Sequence, residues 1–282
     1  MKQAGHILIY FAVLIATPLL AQSAGEMRLV TLGGPATEIV YALGSGDQIV
    51  AADSSSLYPE AAKALPKVGY VSAVGAEGLL SEEPALIIAT SRFGPPAVVE
   101  RIEASGIPLL TVESPHNEET LEEAIEEIGA VLGKEEVAAE LWGRIAADLE
   151  AAKEKARASG APPVVFLLGD SGSAMAAGRD TQGAGILSLA GGRNLFDDYT
   201  GYKPVSEEAL LMADPAFIFI GDHGSIGDED PQSRLESLGL GRLAAATGAE
   251  VRLLDLGKYL TFGPRTGEAA LRLAELLSEG WE

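Results

Sequence analysis

Three histidines and no cysteine set narrow limits on the chemistry this chain can do. Without a thiol it has no disulfide framework and no cysteine nucleophile. His6 falls inside an apolar amino-terminal run, which leaves His116 and His223. Two histidines are too few for a histidine-rich zinc site, although they suffice for a mixed one. Neither has the spacing to a serine and a carboxylate that identifies a triad. Ser171 sits in Asp170-Ser171-Gly172, not in the G-x-S-x-G turn that exposes a nucleophilic serine. No G-x-x-x-x-G-K-[ST] occurs, and Gly33-Gly34 does not open G-x-G-x-x-G. Residues 169–178 (GDSGSAMAAG) have the composition of an anion-holding loop, but Gly-rich αβ turns also arise for steric reasons alone. No acid–base or metal constellation assembles from these residues. The chain reads as a binding protein and not as an enzyme.

Two glutamates stand out by recurrence. Residues 77–87 read EGLLSEEPALI and residues 208–218 read EALLMADPAFI, an ungapped match at an offset of 131 positions. Each copy predicts a short helix starting at the glutamate, an exit forced by proline, then a buried strand. Glu77 and Glu208 are each well placed against the positive end of a helix, which is the plain reading of either one alone. Their appearance at the same place in both halves implies a duplicated unit.

The elements that carry these residues follow from periodicity. Strands are expected at residues 27–32, 49–52, 86–89 and 108–112, with helices at 36–43 and 96–104 between them. Apolar runs without alternation, separated by helices, predict strands buried on both faces. From Asn117, a residue suited to cap a helix, apolar side chains recur at helical spacing to about residue 159, interrupted at Gly133. A second αβ region follows, with strands at 164–168, 217–220 and 251–254 and helices near 185–189 and 267–277. The fold class is therefore α/β, with two similar αβ lobes joined by a long rigid connecting helix and a ligand cleft between them. The expected divisions are a signal peptide at 1–24, an N-terminal lobe at 25–116, a helical linker at 117–160 and a C-terminal lobe at 161–282.

Lys2 precedes the uncharged, mostly apolar run 7–20, which is short for a bilayer crossing, and small residues follow at Ala21, Ser23 and Ala24. This pattern predicts a secretory signal cleaved after Ala21 or up to three residues later; the competing reading is an uncleaved anchor. No cysteine is available there to carry a lipid, so a free periplasmic protein without stable membrane insertion is expected. The formal charge of −21 disfavours binding to nucleic acid.

Residues 37–53 (TEIVYALGSGDQIVAAD), 65–70 (LPKVGY), 76–89 (AEGLLSEEPALIIA), 205–221 (VSEEALLMADPAFIFIG) and 262–277 (FGPRTGEAALRLAELL) together resemble the substrate-binding proteins of bacterial ABC importers for haem, vitamin B12 and ferric siderophores. LPKVGY and FGPRTGEAA bring the chain nearest to the haem-binding members. The resemblance covers roughly residues 28–280. It implies that Glu77 and Glu208 dock onto arginines of a permease dimer, which works with its ATPase subunits. It also implies that Tyr70 is the axial iron ligand of a transported haem, a phenolate being a hard donor suited to ferric iron. The family's supporting arginine two residues on is replaced here by Ser72, with Arg92 the substitute from the next loop. No histidine occurs at 164–178, where some relatives have one; Met175, His223 and Tyr259 stand as the other residues for the cleft. Arg265 suits a propionate by its planar fork, or else ties a loop to a helix end. Phe262 supplies apolar wall to a flat macrocycle, or core. The alternatives are a cobalamin or ferric-siderophore receptor on the same fold and, more remotely, an exported αβ enzyme.

Overall fold

The computed structural model describes residues 27–170, 172–222 and 230–280. The signal-peptide reading of residues 1–24 and the ligand reading of His223 fall outside them. The first lobe runs β1 (Leu29–Leu32), α1 (Gly34–Ala42), β2 (Ile49–Ala52), α2 (Glu60–Lys63), β3 (Gly69–Tyr70), β4 (Ala73–Val74), α3 (Ala76–Ser81), β5 (Leu86–Thr90), α4 (Pro96–Ser105) and β6 (Leu109–Val112). Its four-stranded sheet has the order β2-β1-β5-β6, parallel throughout, while β3 and β4 form a separate antiparallel hairpin. Each parallel step requires a crossover, which is why helices alternate with strands along this stretch.

Two helices follow, α5 (Glu118–Val131) and α6 (Glu135–Ser159). Asn117 starts the first with a reciprocal cap: its Oδ1 accepts from the Thr120 amide at 2.8 Å, and Thr120 Oγ1 accepts from the Asn117 amide at 3.3 Å. The second lobe comprises β7 (Pro163–Asp170), β8 (Ser173–Ala177), α7 (Gln182–Leu189), β9 (Arg193–Asn194), β10 (Tyr202–Pro204), α8 (Glu207–Ala213), β11 (Phe217–Asp222), α9 (Pro231–Ser237), α10 (Leu243–Thr247), β12 (Glu250–Asp255), α11 (Leu256–Tyr259) and α12 (Thr266–Glu279). Its sheet has the order β10-β8-β7-β11-β12, with β9 pairing on β7; β7, β11 and β12 are parallel, and β8 is antiparallel to β7. Among the described residues no helix is long and apolar enough to cross a membrane.

Side chains alternate across each sheet and sort into separate cores. Val30 and Leu32 of β1 join Leu79 and Ile102 on the outer face of the first lobe. In the second lobe, Val165 and Leu167 of β7 join Ile218 and Ile220 of β11 in the same way. The opposite faces meet in one continuous core. Leu29 and Ile39 from the first lobe, Leu121, Ile125, Leu141, Ile145 and Leu149 from α5 and α6, and Val164, Phe166 and Leu273 from the second lobe all belong to it. The connecting helices are therefore packed between the lobes as core and do not stand free as a strut.

The repeat is visible in three dimensions. α3 leads to β5, the strand between β1 and β6; α8 leads to β11, the strand between β7 and β12. The residues before the two prolines, Glu83 and Asp214, both take left-handed backbone, with φ of 49° and 51°. Non-glycine residues seldom adopt that conformation, so its recurrence at matched positions supports duplication more strongly than the eleven aligned letters.

Candidate functional site

Loops leaving the carboxyl ends of the first sheet build one rim of the inter-lobe cleft, as expected of parallel αβ sheets. The loop after β2 (residues 53–59) is shaped by Asp53, which is fully buried. Its carboxylate accepts from the Gly33 amide at 2.8 Å, the Ser55 amide at 2.8 Å and the Ser56 hydroxyl at 2.6 Å, and also from the Ser55 hydroxyl. That turn holds Leu57 and Tyr58 at the surface, 53% and 47% exposed. The β3–β4 hairpin is tied to both neighbouring loops: the Ser54 amide donates to the Gly69 carbonyl at 2.8 Å, and the Gly94 amide donates to the Val71 carbonyl at 3.0 Å. Gly69 is required here. Its φ is +113°, and a Cβ would lie 2.7 Å from the Ala73 carbonyl oxygen. The turn leaves Tyr70 55% exposed, and its hydroxyl has no hydrogen-bond partner among the described residues. A phenol so placed has its donor oxygen available to a ligand.

The second lobe meets this rim at two ends. On the β5 side, Arg92 Nη1 donates to Gln182 Oε1 at 3.4 Å, at the amino end of α7. A cavity of about 350 Å³ opens there, lined from one lobe by Arg92, Ser114 and His116 and from the other by Asp180, Gln182 and Tyr202. Next to it the lobes touch closely: a Cβ on Gly185 would fall 1.8 Å from the His116 carbonyl oxygen. On the β2 side, Arg265 reaches across to α1. Its Nε donates to Glu38 Oε2 at 3.0 Å and its Nη2 to Glu38 Oε1 at 2.5 Å, with a further bond from Nη2 to the Gly257 carbonyl at 2.5 Å. Glu38 is 4% exposed, and burial pushes its carboxyl above the usual range while Arg265 draws it back. The guanidinium also lies 3.8 Å from the ring centre of Tyr58.

These placements bear on the readings that the sequence left open. Arg265 ties α12 to the other lobe, and the Nε–Nη2 edge of its planar fork is taken by Glu38. Phe262 is 1% exposed and packs in the shared core, not on the cleft wall. Tyr259 belongs to the same core, where burial raises its phenol and disfavours the phenolate. Met175 lies within β8, paired with Leu168 and Pro204, because β7 and β8 pair antiparallel as far as Asp170 and Ser173. Tyr70 and Arg92 are brought onto adjoining loops. Among the described residues no group of three or more acidic or histidine side chains is arranged to hold a metal ion. Glu77 is exposed near the start of α3, 3.7 Å from Arg101 Nη2. Its counterpart Glu208 is exposed on α8, whereas its neighbour Glu207 is held in a paired contact by Arg242.

Leu57, Tyr58, Gln182 and Glu38 went unremarked in the sequence. Asp53 followed by three serines was the available signal for the first two, being a turn-forming composition. A carboxylate among Ala36, Ile39 and Val40 likewise signalled a buried acid in need of a partner.

Comparison with known proteins agrees with this architecture. The periplasmic haem-binding protein RhuT from Roseiflexus sp. RS-1, in apo form, superimposes with a TM-score of 0.83 at 32% identity, covering 91% of this chain and 99% of that one. A periplasmic haem-binding protein from Pseudomonas aeruginosa gives 0.82 at 32% identity, covering 91% and 94%. By sequence, the vitamin B12-binding protein of Vibrio campbellii (strain ATCC BAA-1116) is 29% identical over 202 residues, 71% of this chain and 73% of its own. Residues 29–255 match the family model described as periplasmic binding protein, so the chain belongs to the periplasmic binding protein family.

Proposed function

We propose that this protein captures haem in the periplasm and delivers it to an ABC-type importer, with Tyr70 as the iron ligand. The observation that carries this reading is the glycine-dependent hairpin that holds an exposed, unbonded phenol at the rim of the cleft. A phenolate is a hard anionic donor matched to ferric iron, and coordination to the metal keeps it deprotonated. Arg92, on the loop bonded to this hairpin, supplies positive charge on the same rim. The solved neighbours named as haem-binding support the same ligand. Glu77 and Glu208, exposed on separate lobes, serve as docking points for the two halves of a permease dimer, which works with its ATPase subunits. The B12-binding relatives favour cobalamin as the second reading.

Titration of the apoprotein with ferric haem, followed by visible absorbance, tests the proposal. Wild type is expected to give a high-spin spectrum with a phenolate-to-iron charge-transfer band, and Tyr70→Phe to lose that band and retain haem poorly. An unchanged spectrum in Tyr70→Phe refutes the ligand assignment. Indifference of wild type to haem, with tight binding of cyanocobalamin, moves the cargo to the corrinoid.

A further inference from the structure

We infer that Tyr58 is a ligand-contact residue, a flat platform for the macrocycle, and that Arg265 acts by positioning Tyr58 and does not touch the ligand. The inference rests on the proposed capture of a planar tetrapyrrole in the cleft. Tyr58 and Tyr70 stand on loops joined by the Ser54–Gly69 hydrogen bond, so both aromatic rings belong to the same rim of the first lobe. One face of the Tyr58 ring is covered by the Arg265 guanidinium at 3.8 Å, yet the residue remains 47% exposed, which leaves the opposite face open. The guanidinium is itself immobilised from below by Glu38 and by the Gly257 carbonyl.

A tyrosine that merely decorates a surface gains little from a fixed cation beneath it, since an exposed cation–π contact is weak. A ring held flat on a rigid support, however, loses little rotamer freedom when an apolar ligand packs on its free face, and that is how a pre-organised contact adds to affinity. The neighbouring Leu57, 53% exposed on the same Asp53-shaped loop, extends the apolar surface. The stack then reads macrocycle, Tyr58, Arg265, Glu38, and it runs from the cleft into the junction between the lobes.

The test is a mutant cycle on the whole protein, titrated with ferric haem. Tyr58→Ala is expected to weaken haem about tenfold, while Tyr58→Phe, which keeps the ring, stays within about twofold. In both, the iron charge-transfer band of the bound form stays as in wild type, because the platform does not coordinate. Glu38→Gln combined with Arg265→Met removes the support without leaving a buried charge, and should lose about as much as Tyr58→Ala. Adding Tyr58→Ala to that pair should then cost nothing further. Wild-type affinity in Tyr58→Ala overturns the inference, as does loss of the band in Tyr58→Phe, which would make Tyr58 an iron ligand. Additive losses in the triple variant place Arg265 on the ligand and overturn its positioning role. If wild type ignores haem, the cargo reading fails by itself. The same cycle with cyanocobalamin then judges Tyr58 by the same affinities, and indifference to both ligands sinks the inference too.

Discussion

Replacing Arg265 by methionine keeps much of the side chain's length but leaves Glu38 buried without its cation. Breaking a buried pair from one side costs about 3–5 kcal/mol when the remaining charge stays ionised. Glu38 has an escape, which is to take up a proton. From the ordinary carboxyl value of 4.5, holding that proton at pH 7 costs about 1.36 kcal/mol per pH unit, or about 3.4 kcal/mol. Wild-type Glu38 is itself raised and already carries part of this cost, so the figure is a ceiling on the variant's extra pH-dependent loss at pH 7, and the ceiling shrinks to about 0.7 kcal/mol at pH 5. The sign follows from linkage. A carboxyl whose folded value is raised contributes stability below its unfolded value, and loses it as pH rises toward the folded one. Lost stacking on Tyr58 and the lost bond to the Gly257 carbonyl add a pH-independent cost of about 1 kcal/mol. Urea unfolding at the two pH values measures both parts. Arg265→Met should lose up to about 4 kcal/mol at pH 7 and under about 2 kcal/mol at pH 5, and adding Glu38→Gln should recover the pH-dependent part only. A loss that is the same at both pH values, or that grows toward acid, refutes the reasoning.

The remaining predictions concern packing, docking and shape. Gly185→Ala should destabilise by at least about 2 kcal/mol in a denaturant melt, since the new methyl meets the His116 carbonyl and the Phe262 ring with no room to move; a neutral effect would show that the lobes adjust easily. Reversing both docking charges, Glu77→Arg with Glu208→Arg, should abolish uptake in cells and leave ligand affinity unchanged, and normal transport would remove the docking role. Small-angle scattering of the apoprotein and the ligand-loaded protein should superimpose, and marked compaction on loading would contradict a core shared between lobes.

Legibility in the sequence tracked how local each cause was. The Asn117 cap was readable because Asn117 bonds Thr120, three residues away. The strand 49–52 was readable because it is a short apolar run between turn residues. β8 was not, because Ser-Ala-Met-Ala-Ala has no β-branched or aromatic side chain; its pairing with β7, and not its own propensity, makes it a strand. Phe262 and Arg265 could not be divided between ligand and structure from the sequence, because nothing nearby in the chain competes for them. Their actual partners, the shared core and Glu38, come from the other side of the molecule, 227 positions away in the case of Glu38. Tyr58 was missed for the same reason. Its significance depends on a guanidinium that the sequence places at the far end of the chain.

The shared core bears on how cargo can be bound and let go. In a protein whose lobes hinge on a few extended residues, closure around the ligand supplies both the last contacts and the means of release. Here spreading the lobes would uncover Phe262, separate Glu38 from Arg265 and part the close approach of Gly185 to His116. Those costs fall together, so on the proposed reading the rim with Tyr58 and Tyr70 is in place before cargo arrives, and affinity comes from pre-organised contacts. Release must then be driven by something that outweighs that junction. Glu77 and Glu208 sit at the starts of α3 and α8, each leading through a proline to an interior strand of its sheet, β5 or β11. A partner that grips both acids, as proposed, would act on a strand paired on both sides in each lobe, and a change in the spacing of its two grips would be transmitted to the lobes as rigid units. On the proposed reading, duplication supplies the matched pair of handles, and the shared core is what they act against.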